Sequence, residues 1–501
     1  MGCALALGLA GCGEGSSKKP SDALTVLLPR DVIELDPRFV SDAYGLKVTR
    51  LIFGSLMRID PISLETVPDL AEHVELRSPT RYEVTLRQGL RFSDGSTLDS
   101  ADVVATFRGL IDPKLQARYA ASYARIASVQ ALDARTVRFD LVGPHATFLT
   151  DLEIPIVRAE DAYRRMPNGP GKLPVGSGPY VLALREPGKL ELRANPYWYG
   201  GRVKHDHIRM LVVRDDNTRA LRLLAGAADL AISAVPPGLI PLFTPQQGFE
   251  VAAARGINTI YIGINTQAPA LRDVRVRQAL AYAIDRPALI KAKLGGRAEL
   301  ASSFIPPGHW AYAAGTHAYA FDPPRARALL DEAGLSPSGD GPRLRLAMRC
   351  GSDRFRISVA RAIVAMLADV GIAVDVLPME TATLISDLDR GQFELTLLQM
   401  PEVIEPHVLY WWFGEDRIPG RGREGANRWR YTDRTLEAAL ERGRSHVDRT
   451  ERTAAYRDVQ QLLADGLPVI PLWHEDVVAV RGPDARDVTV PRDGRFSTLA
   501  R

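Results

Sequence analysis

The sequence predicts an α/β protein in which two bodies of strands and helices accompany a small α+β unit inserted into the first. Residues 207–233 and residues 343–400 each show strand, helix and strand in succession, the pattern of parallel or mixed sheets. In contrast, residues 81–143 alternate apolar strands with a single helix and are divided by glycine, proline and aspartate. The sequence therefore separates two α/β bodies from one smaller insert.

The inserted unit begins with a strand whose buried face is marked by alternation. Tyr82, Val84 and Leu86 alternate with polar residues, which is the period of a half-buried strand. A helical stretch follows, and Asp99 stands immediately before it with Asp102 near its third position. These acids predict an N-cap and a favourable charge in the first turn of the helix.

Helices of the second body carry the clearest periodic signal. Asp273, Asp285 and Asp322 each stand where an N-cap is expected, and prolines open the two later helices. The helix after Asp273 has apolar residues spaced three and four apart, which predicts one buried face. The residues of this face are Val276, Ala279, Leu280, Ala283 and Ile284.

The composition is that of an ordinary globular protein. Of the 501 residues, 46% are hydrophobic and 25% are charged, which allows two or three domains and excludes disorder as the default. The 63 basic and 60 acidic residues leave a formal charge of +3 without a long block of like charge, so nothing supports nucleic-acid binding. After residue 12, no apolar run reaches the roughly 18 residues that a membrane-spanning helix needs.

The N-terminal residues carry a candidate processing and lipidation signal. Residues 1–12 form a short apolar run that ends in LAGC, and residues 13–21 are polar and flexible. This resembles a bacterial lipobox, in which Cys12 would take a diacylglycerol and tether the chain to a membrane. An ordinary cleaved signal peptide is the alternative, and both interpretations place the mature chain outside the cytoplasm. Cys3 and Cys350 complete neither a zinc-ligand spacing nor a disulfide framework.

A series of motifs along the chain resembles one known family. In chain order they are YEVTLRQGLRFSDGSTLDSADVVATF, GSGPY, NPYWYG, INTQAPALRDVRVRQALAYAIDRPALI, AFDPPRARALLDEAG and FELTLLQ. Each motif is modest alone, but their order and spacing together are specific. From about Leu24 to the C-terminus, the chain resembles the extracytoplasmic solute-binding proteins of peptide/nickel-type ABC importers, family 5.

The resemblance implies a fold and a domain organisation. We expect a two-lobed, periplasmic-binding-protein type II-like fold that bends at a hinge and carries an inserted α+β subdomain in lobe I. The expected segments are a lipoprotein signal at 1–12, a tether at 13–21, lobe I at 22–60, 175–265 and 476–501, the inserted subdomain at 61–174, and lobe II at 266–475.

The resemblance also implies a ligand-contacting loop after the strand that contains FELTLLQM. Oligopeptide-binding members carry there a tryptophan, then an aspartate that receives the peptide's ammonium, then an acid–proline pair. The matching positions of this chain hold Gln399, Glu402 and Glu405. In a partly dry cleft Glu402 would form a charge-assisted bond to an ammonium, whereas a solvent-facing turn is the alternative. For Glu405, the alternative to a ligand role is a structural role in a turn or in a contact between the lobes.

Aromatic residues follow this loop directly. Tyr410, Trp411 and Trp412 are consecutive, and cleft aromatics supply apolar area together with a polar group. We expect one of the three to line the cleft, with core packing as the alternative. Tyr44 lies in a lobe I stretch that commonly contributes to the cleft in the family, and it is a further candidate.

Two arginines in the next glycine-rich loop are candidates for binding a ligand carboxylate. Arg421 and Arg423 could each donate two parallel hydrogen bonds to a carboxylate. Simple solvation of both side chains is the alternative.

Enzyme motifs are incomplete in this sequence. The HED at His474 lacks the second histidine of a zinc protease, VGSGPY is not a G-x-S-x-G nucleophile turn, and no Walker-type loop occurs. His205 and His207 have no evident third metal ligand, so we expect them to be exposed to solvent. No metal or cofactor is predicted.

The function predicted is a non-catalytic, lipid-anchored and monomeric receptor at the outer face of a membrane. It would hold a small solute, a short peptide in the first instance, and deliver it to an ABC permease and ATPase complex. A nickel chelate, haem, an opine or a sugar are alternative solutes on the same fold, because fold alone does not settle the ligand. A surface peptidase or esterase is the alternative from a different class.

Overall fold

The main sheet of the molecule runs through both lobes. The computed structural model describes residues 23–167, 173–244, 248–337, 339, 341–420 and 425–501. The strands among these residues are β1 (Leu24–Leu28), β2 (Met57–Ile59), β3 (Thr66–Pro68), β4 (Ala71–Ser78), β5 (Arg81–Leu86), β6 (Ile126–Ala131), β7 (Thr136–Leu141), β8 (Tyr180–Glu186), β9 (Lys189–Ala194), β10 (His207–Val212), β11 (Leu230–Ile232), β12 (Glu250–Ile264), β13 (Ala298–Leu300), β14 (Leu344–Gly351), β15 (Ile372–Met379), β16 (Leu395–Met400) and β17 (Val469–Arg481).

Helices cover the faces of this sheet. Most of the longer ones begin at an aspartate whose side chain accepts a hydrogen bond from the first turn. The helices of the described residues are α1 (Ala43–Ile52), α2 (Ser100–Ile111), α3 (Phe148–Asp151), α4 (Asp216–Leu224), α5 (Val274–Tyr282), α6 (Arg286–Leu294), α7 (Pro323–Glu332), α8 (Arg354–Ala368), α9 (Thr381–Arg390), α10 (Val408–Phe413), α11 (Arg434–Ser445) and α12 (Arg449–Gly466).

The strand order shows how two α/β bodies share one sheet. Across the described residues the order is β15-β14-β16-β12-β17-β11-β1-β10-β9-β8, and β13 pairs with β17 beside this path. In lobe I, β1 is parallel to both β10 and β11. In lobe II, β14 is parallel to both β15 and β16. The parallel strands of each lobe are the strand–helix–strand units that the sequence predicts.

Separate hydrophobic cores define the two lobes. In lobe I, β1, α1 and β8 to β11 pack with the C-terminal segment, residues 482–501. In lobe II, β12 to β16 pack with helices α5 to α8 on one face and with α9 to α12 on the other. The inserted unit has a core of its own around α2 and the antiparallel sheet β4-β5-β7-β6. The predicted segment boundaries between these units stay a prediction.

Two long antiparallel strands connect the lobes. β12 and β17 pair at Val251 and Val480 within lobe I and again at Ile262 and Ile470 within lobe II. Between these regions the register shifts, because a bulge separates the paired positions Ala254 and Asn258. A strand pair interrupted in this way is the place where a two-lobed body can bend.

Gly256 lies in this bulge, where the two chains approach closely. A Cβ at Gly256 would lie 1.9 Å from the carbonyl oxygen of Glu475 on β17. No side chain fits at that distance, so the bulge requires glycine.

The inserted unit confirms the predicted strand and cap. Tyr82, Val84 and Leu86 are buried on one face of β5. Asp99 is the N-cap of α2, and Asp102 completes a capping box by accepting from the backbone N–H of Asp99 at 3.1 Å.

The predicted helices of lobe II are also confirmed. Asp273, Asp285 and Asp322 cap α5, α6 and α7 with their side chains. Every residue of the predicted buried face after Asp273 is at most 2% exposed. These features depend on neighbours within one helical turn, which is why the sequence is sufficient to predict them.

The expectation for one histidine is wrong. His207 is 4% exposed, because β10 lies inside the sheet between β1 and β9 and its side chain faces the body of lobe I. In the described part of the chain, no helix has the length and apolarity that crossing a membrane requires.

Candidate functional site

A charged cleft lies where the two lobes face each other. The parallel strands of both lobes end at the same place, so the loops after β1, β10 and β11 face the loop after β14 across the hinge strands. Ligands of open α/β sheets bind outside such carboxyl ends. A cavity of about 710 Å³ is found at this position, and β17 forms its floor.

Residues of both lobes act on each other across the cavity. Asp215, the N-cap of α4 in lobe I, has a lowered pKa chiefly because Thr218 donates hydrogen bonds to it. Arg219 lowers the pKa of Asp215 further, and so does Arg354 from α8 in lobe II. The two walls are therefore within electrostatic reach of each other.

Arg219 fixes the lobe I wall of the cavity. Its side chain is buried at 2% exposure and donates to the carbonyl oxygens of Val213, at 2.6 Å, and Ala234. Because these carbonyls belong to the loops after β10 and β11, one guanidinium holds both loops at the rim of the cleft. The loops carry the cavity wall without needing a ligand to order them.

Glu475 projects from β17 into the cavity. Its side chain is half-buried, and the carboxylate has no hydrogen bond or ion pair within the portion of the chain that the structure describes. Burial raises the pKa of the Glu475 carboxyl, and Arg356 opposes this effect while Asp476 and Asp353 add to it. The preceding residue, His474, points to the opposite face of the strand, where its ring Nδ1 lies 2.9 Å from the Thr259 hydroxyl.

Gln399 lies at the end of β16 beside this cavity. Arg356 donates from Nη2 to the Gln399 side-chain oxygen at 2.7 Å, and its Nε lies 3.2 Å from Asp353. The amide thus occupies one side of the Arg356 guanidinium. The ligand role predicted for Gln399 stays a prediction.

Glu402 meets an arginine of the C-terminal segment. Both of its carboxylate oxygens accept from Arg495, at 3.1 Å from Nε and 3.2 Å from Nη2. Arg495 is 5% exposed, and it also pairs with Glu153 of the inserted unit and lies 3.5 Å from Asp493. We call these four residues the Arg495 cluster. It joins lobe II, the inserted unit and the C-terminal segment at one point.

Burial sets the protonation properties of the Arg495 cluster and its neighbours. It raises the pKa of Asp493 to about 6, although Arg495 acts in the opposite direction. It also lowers the pKa of Lys47, while Glu402 and Asp493 oppose that shift. These groups are charged in a poorly hydrated place, so each depends on its partners.

Tyr44 lies beside the same cluster. The Lys47 ammonium is 5.1 Å from its ring centroid, and the Phe496 ring is 6.4 Å away. Burial raises the pKa of the Tyr44 hydroxyl to about 12, so it is a neutral group at physiological pH. The structure brings Tyr44 and Glu402 to one neighbourhood, whereas their contact with a ligand stays a prediction.

Glu405 is engaged within lobe II. It forms an ion pair with Arg452 and accepts from the backbone N–H of His407 at 3.3 Å. Burial raises the pKa of Glu405, and Arg452 opposes that effect. Because these contacts order the turn that leads into α10, they fit the turn alternative better than a ligand role.

The three consecutive aromatics lie on α10, away from the lining of the cleft cavity. Trp412 packs against Trp429, with ring centroids 6.3 Å apart, in the core of lobe II. Trp411 is 41% exposed with Arg417 5.3 Å from its ring, and Tyr410 has the same arginine at 5.4 Å. Core packing therefore describes Trp412. Arg421, Arg423 and Cys12 lie outside the described residues.

Sequence reasoning missed three residues, of which the first two line the cleft cavity and the third binds Glu402. They are Arg219, Glu475 and Arg495. The signal for Glu475 was present in the HED stretch, where an acid pair interrupts an otherwise apolar strand. Neither Arg219 nor Arg495 belongs to a motif. The partners of Arg219 lie 3 to 15 residues away, on the loops that α4 joins, and those of Arg495 include Glu402 and Glu153, which lie 93 and 342 residues away.

A hinged pair of lobes with a charged cleft between them defines a solute-binding receptor. Comparison with known proteins narrows the class. The profile of the family "Bacterial extracellular solute-binding proteins, family 5 Middle" matches residues 65–418. The chain belongs to this family, whose members are extracytoplasmic binding proteins rather than enzymes and serve as the substrate-binding proteins of ABC importers.

Individual relatives cover nearly the whole chain. "Di/tripeptide-binding protein 2" of Pseudomonas aeruginosa (strain UCBPP-PA14) is 28% identical over 84% of this chain and 84% of its own length. "Glutathione-binding protein GsiB" of Escherichia coli (strain K12) is 28% identical over 98% and 97%, respectively. In structure, NikA from Brucella suis in complex with Fe(III)-EDTA aligns with a TM-score of 0.86 at 23% identity, over 95% of this chain and 99% of its own. These matches confirm the predicted two-lobed type II fold.

Proposed function

We propose that this protein captures a short peptide between its lobes and presents it to an ABC permease and ATPase complex. The observation that carries the proposal is the cleft of about 710 Å³, whose charged walls come from both lobes and whose floor is a hinge strand. A solute that touches both walls favours the closed arrangement, which is the form a permease can distinguish from an empty receptor.

Two features support peptides over other solutes. Relatives that match along most of their length are a di/tripeptide-binding and a glutathione-binding protein, by name. The cleft also offers groups of both signs, with Glu475 on the floor and Arg297 and Arg354 on the lobe II side. A peptide has a cationic and an anionic end, so it is complementary to such walls.

The remaining parts of the proposal concern where the receptor works. We place it at the outer face of a membrane, as a monomer held by a diacylglycerol on Cys12. The LAGC motif at residues 9–12 supports this placement. A non-catalytic role is proposed as well, since the sequence lacks complete motifs for hydrolysis.

Native mass spectrometry of the full chain, purified gently in mild detergent, tests the proposal. Denaturing release should yield a series of short peptides, and added peptides should remain intact after prolonged incubation. The mass of residues 12–501 with a diacylglycerol added would support the anchor. A single non-peptide mass, such as a metal chelate or a sugar, would contradict the peptide proposal. Turnover of added peptides would instead favour a hydrolase.

A further inference from the structure

Two carboxylates of the interlobe region could receive a cationic group. Glu402 occupies the position where the family resemblance predicts an ammonium acceptor, and Glu475 lies on the floor of the cavity. We propose that Glu475, rather than Glu402, receives the ammonium group of an amine-bearing solute. This inference rests on the solute-binding function proposed above and assigns its charge-recognising residue.

Glu402 already has a cationic partner. Arg495 donates to both of its carboxylate oxygens, at 3.1 and 3.2 Å, so the preferred directions for a strong bond are occupied. An ammonium could bind there only by displacing a guanidinium. That guanidinium is 5% exposed, and its displacement would leave Glu153 with Arg50 as its remaining arginine partner. Separating a buried arginine from its carboxylates is strongly unfavourable.

Glu475 has the opposite surroundings. Its side chain lines the cavity, and within the described residues it accepts no hydrogen bond and forms no ion pair. A carboxylate that is half-buried without a partner is costly, and the cost is relieved when a cation binds. Because it is carried by a paired strand, with Asn258 opposite on β12 and Ala298 on β13, its position is fixed before a ligand arrives.

Among the described residues, no lysine or arginine forms an ion pair with the Glu475 carboxylate. Arg356 is the positive group that acts on it, and this guanidinium is held by Asp353 at 3.2 Å and by Gln399 at 2.7 Å. The neighbouring Asp476 has its own distant cation, Arg255, at 3.8 Å. Asp476 and Asp353 add negative charge beside Glu475, whereas Arg297 and Arg354 line the lobe II side of the same cavity. An ammonium at Glu475 and a carboxylate at these arginines would therefore suit the two ends of one solute.

The position of Glu475 between the two lobes also suits a residue that couples solute binding to closure of the lobes. The cavity wall on one side belongs to lobe I and on the other to lobe II, and Glu475 lies on the strand that connects them. An ammonium held there places the rest of the solute between the walls. At Glu402, by contrast, the lobes are already joined through Arg495 without a solute.

Calorimetric titration with alanine peptides of two to five residues, each with a free or an acetylated N-terminus, tests the assignment. The wild-type protein should bind the free peptides at least tenfold more tightly than the acetylated ones. Glu475→Gln should abolish this difference. The matched variant Glu402→Gln should preserve it, because Glu402 binds Arg495 and not the ligand.

A conservative substitution of Glu475 and a measurement of thermal stability serve as controls. Glu475→Asp keeps the charge one methylene further from the cavity and should restore part of the discrimination that Glu475→Gln loses. Thermal unfolding of Glu475→Gln should match the wild type or exceed it, since the variant removes a half-buried charge.

The outcomes separate the two proposals. If the wild type discriminates and Glu402→Gln abolishes the difference while Glu475→Gln retains it, the assignment to Glu475 is overturned and the peptide function stands. Binding of free and acetylated peptides with equal affinity overturns the assignment as well. If the wild type binds no alanine peptide, the proposed peptide function fails, and the assignment fails with it.

Discussion

Glu402 and Glu475 belong to the same interlobe region, yet Glu402 pairs with a buried arginine and Glu475 has no ion-pair partner among the described residues. Glu402 closes an ion cluster that ties lobe II to the C-terminal segment and the inserted unit. Glu475 instead projects from the hinge strand β17 into the cavity between the lobes. The difference teaches that a carboxylate at a family's ligand position can be held in an ion cluster of the protein, while another acid of the same region lines the cavity; on this difference we base the proposal for Glu475.

Of the changes that test this comparison, removal of Arg495 should lower the stability of the protein most. Arg495→Met leaves the buried Asp493 and the partly buried Glu402 without their arginine, and it leaves Glu153 with Arg50 alone. The loss costs about 3–5 kcal/mol of unfolding free energy. Urea denaturation followed by far-UV circular dichroism measures the loss. As a control, Arg81→Met removes an exposed partner of Asp140 and should cost less than about 1 kcal/mol. Equal losses in the two variants would show that the Arg495 cluster is not structurally important.

Substitution of Gly256, which lies against the Glu475 backbone, should have the next largest effect on stability. In Gly256→Ala the new methyl carbon would clash with the Glu475 carbonyl oxygen, so β17 must move at the hinge. Overpacking of this kind costs about 1–3 kcal/mol, and the affinity for peptides should fall as well. Gly143→Ala is the matched control, because nothing lies within 4 Å of its added carbon. A variant at Gly256 with unchanged stability and affinity would contradict the requirement for glycine in the bulge.

His474, the buried neighbour of Glu475, should make the free energy of unfolding depend on pH in the acidic range. Burial lowers the pKa of His474 to about 4, so between pH 6.5 and 4 the unfolded chain binds a proton that the folded chain does not. Stability therefore rises with pH across this window, by about 1.4 kcal/mol per pH unit from this residue. His474→Gln should reduce the slope by that amount, measured as the difference between variant and wild type in urea denaturation.

His407 should also make the protein less stable in acid, so His474→Gln should not remove the whole pH dependence. Burial lowers the pKa of His407 to about 3, so a slope should persist in His474→Gln. His73→Gln, on the exposed side of β4, is the control and should leave the slope unchanged. If His73→Gln and His474→Gln flatten the profile equally, burial of His474 is not its cause.

The smallest effect is expected at an exposed ion pair. Arg449 of α12 lies 2.6 Å from Glu65 beside the inserted unit, with both side chains about half exposed. Glu65→Gln should cost less than about 1 kcal/mol, and high salt should remove the difference from the wild type. A loss comparable to that of Arg495→Met would mean that contacts between lobe II and the inserted unit do not depend on burial.

Local features of the fold followed from the sequence. The caps at Asp99, Asp273 and Asp285 and the buried face of α5 depend on groups within one or two helical turns. The family motifs likewise depend on short segments in a fixed order, and they were sufficient for the two-lobed fold. For the site, the sequence selected Glu402 as a candidate but could not provide its partner, since Arg495 follows 93 residues later.

What only the tertiary structure decided is the arrangement between distant segments. The sequence determined two α/β bodies, an insert and the family, because periodicity, capping and motif order are local properties of the chain. It did not determine that β12 and β17 carry one sheet through both lobes. Nor did it determine that Glu402 has an ion-pair partner while Glu475, within the described part of the chain, has none. Those properties depend on strand register and on which loops meet at the carboxyl ends of the sheet, and such contacts join residues hundreds of positions apart.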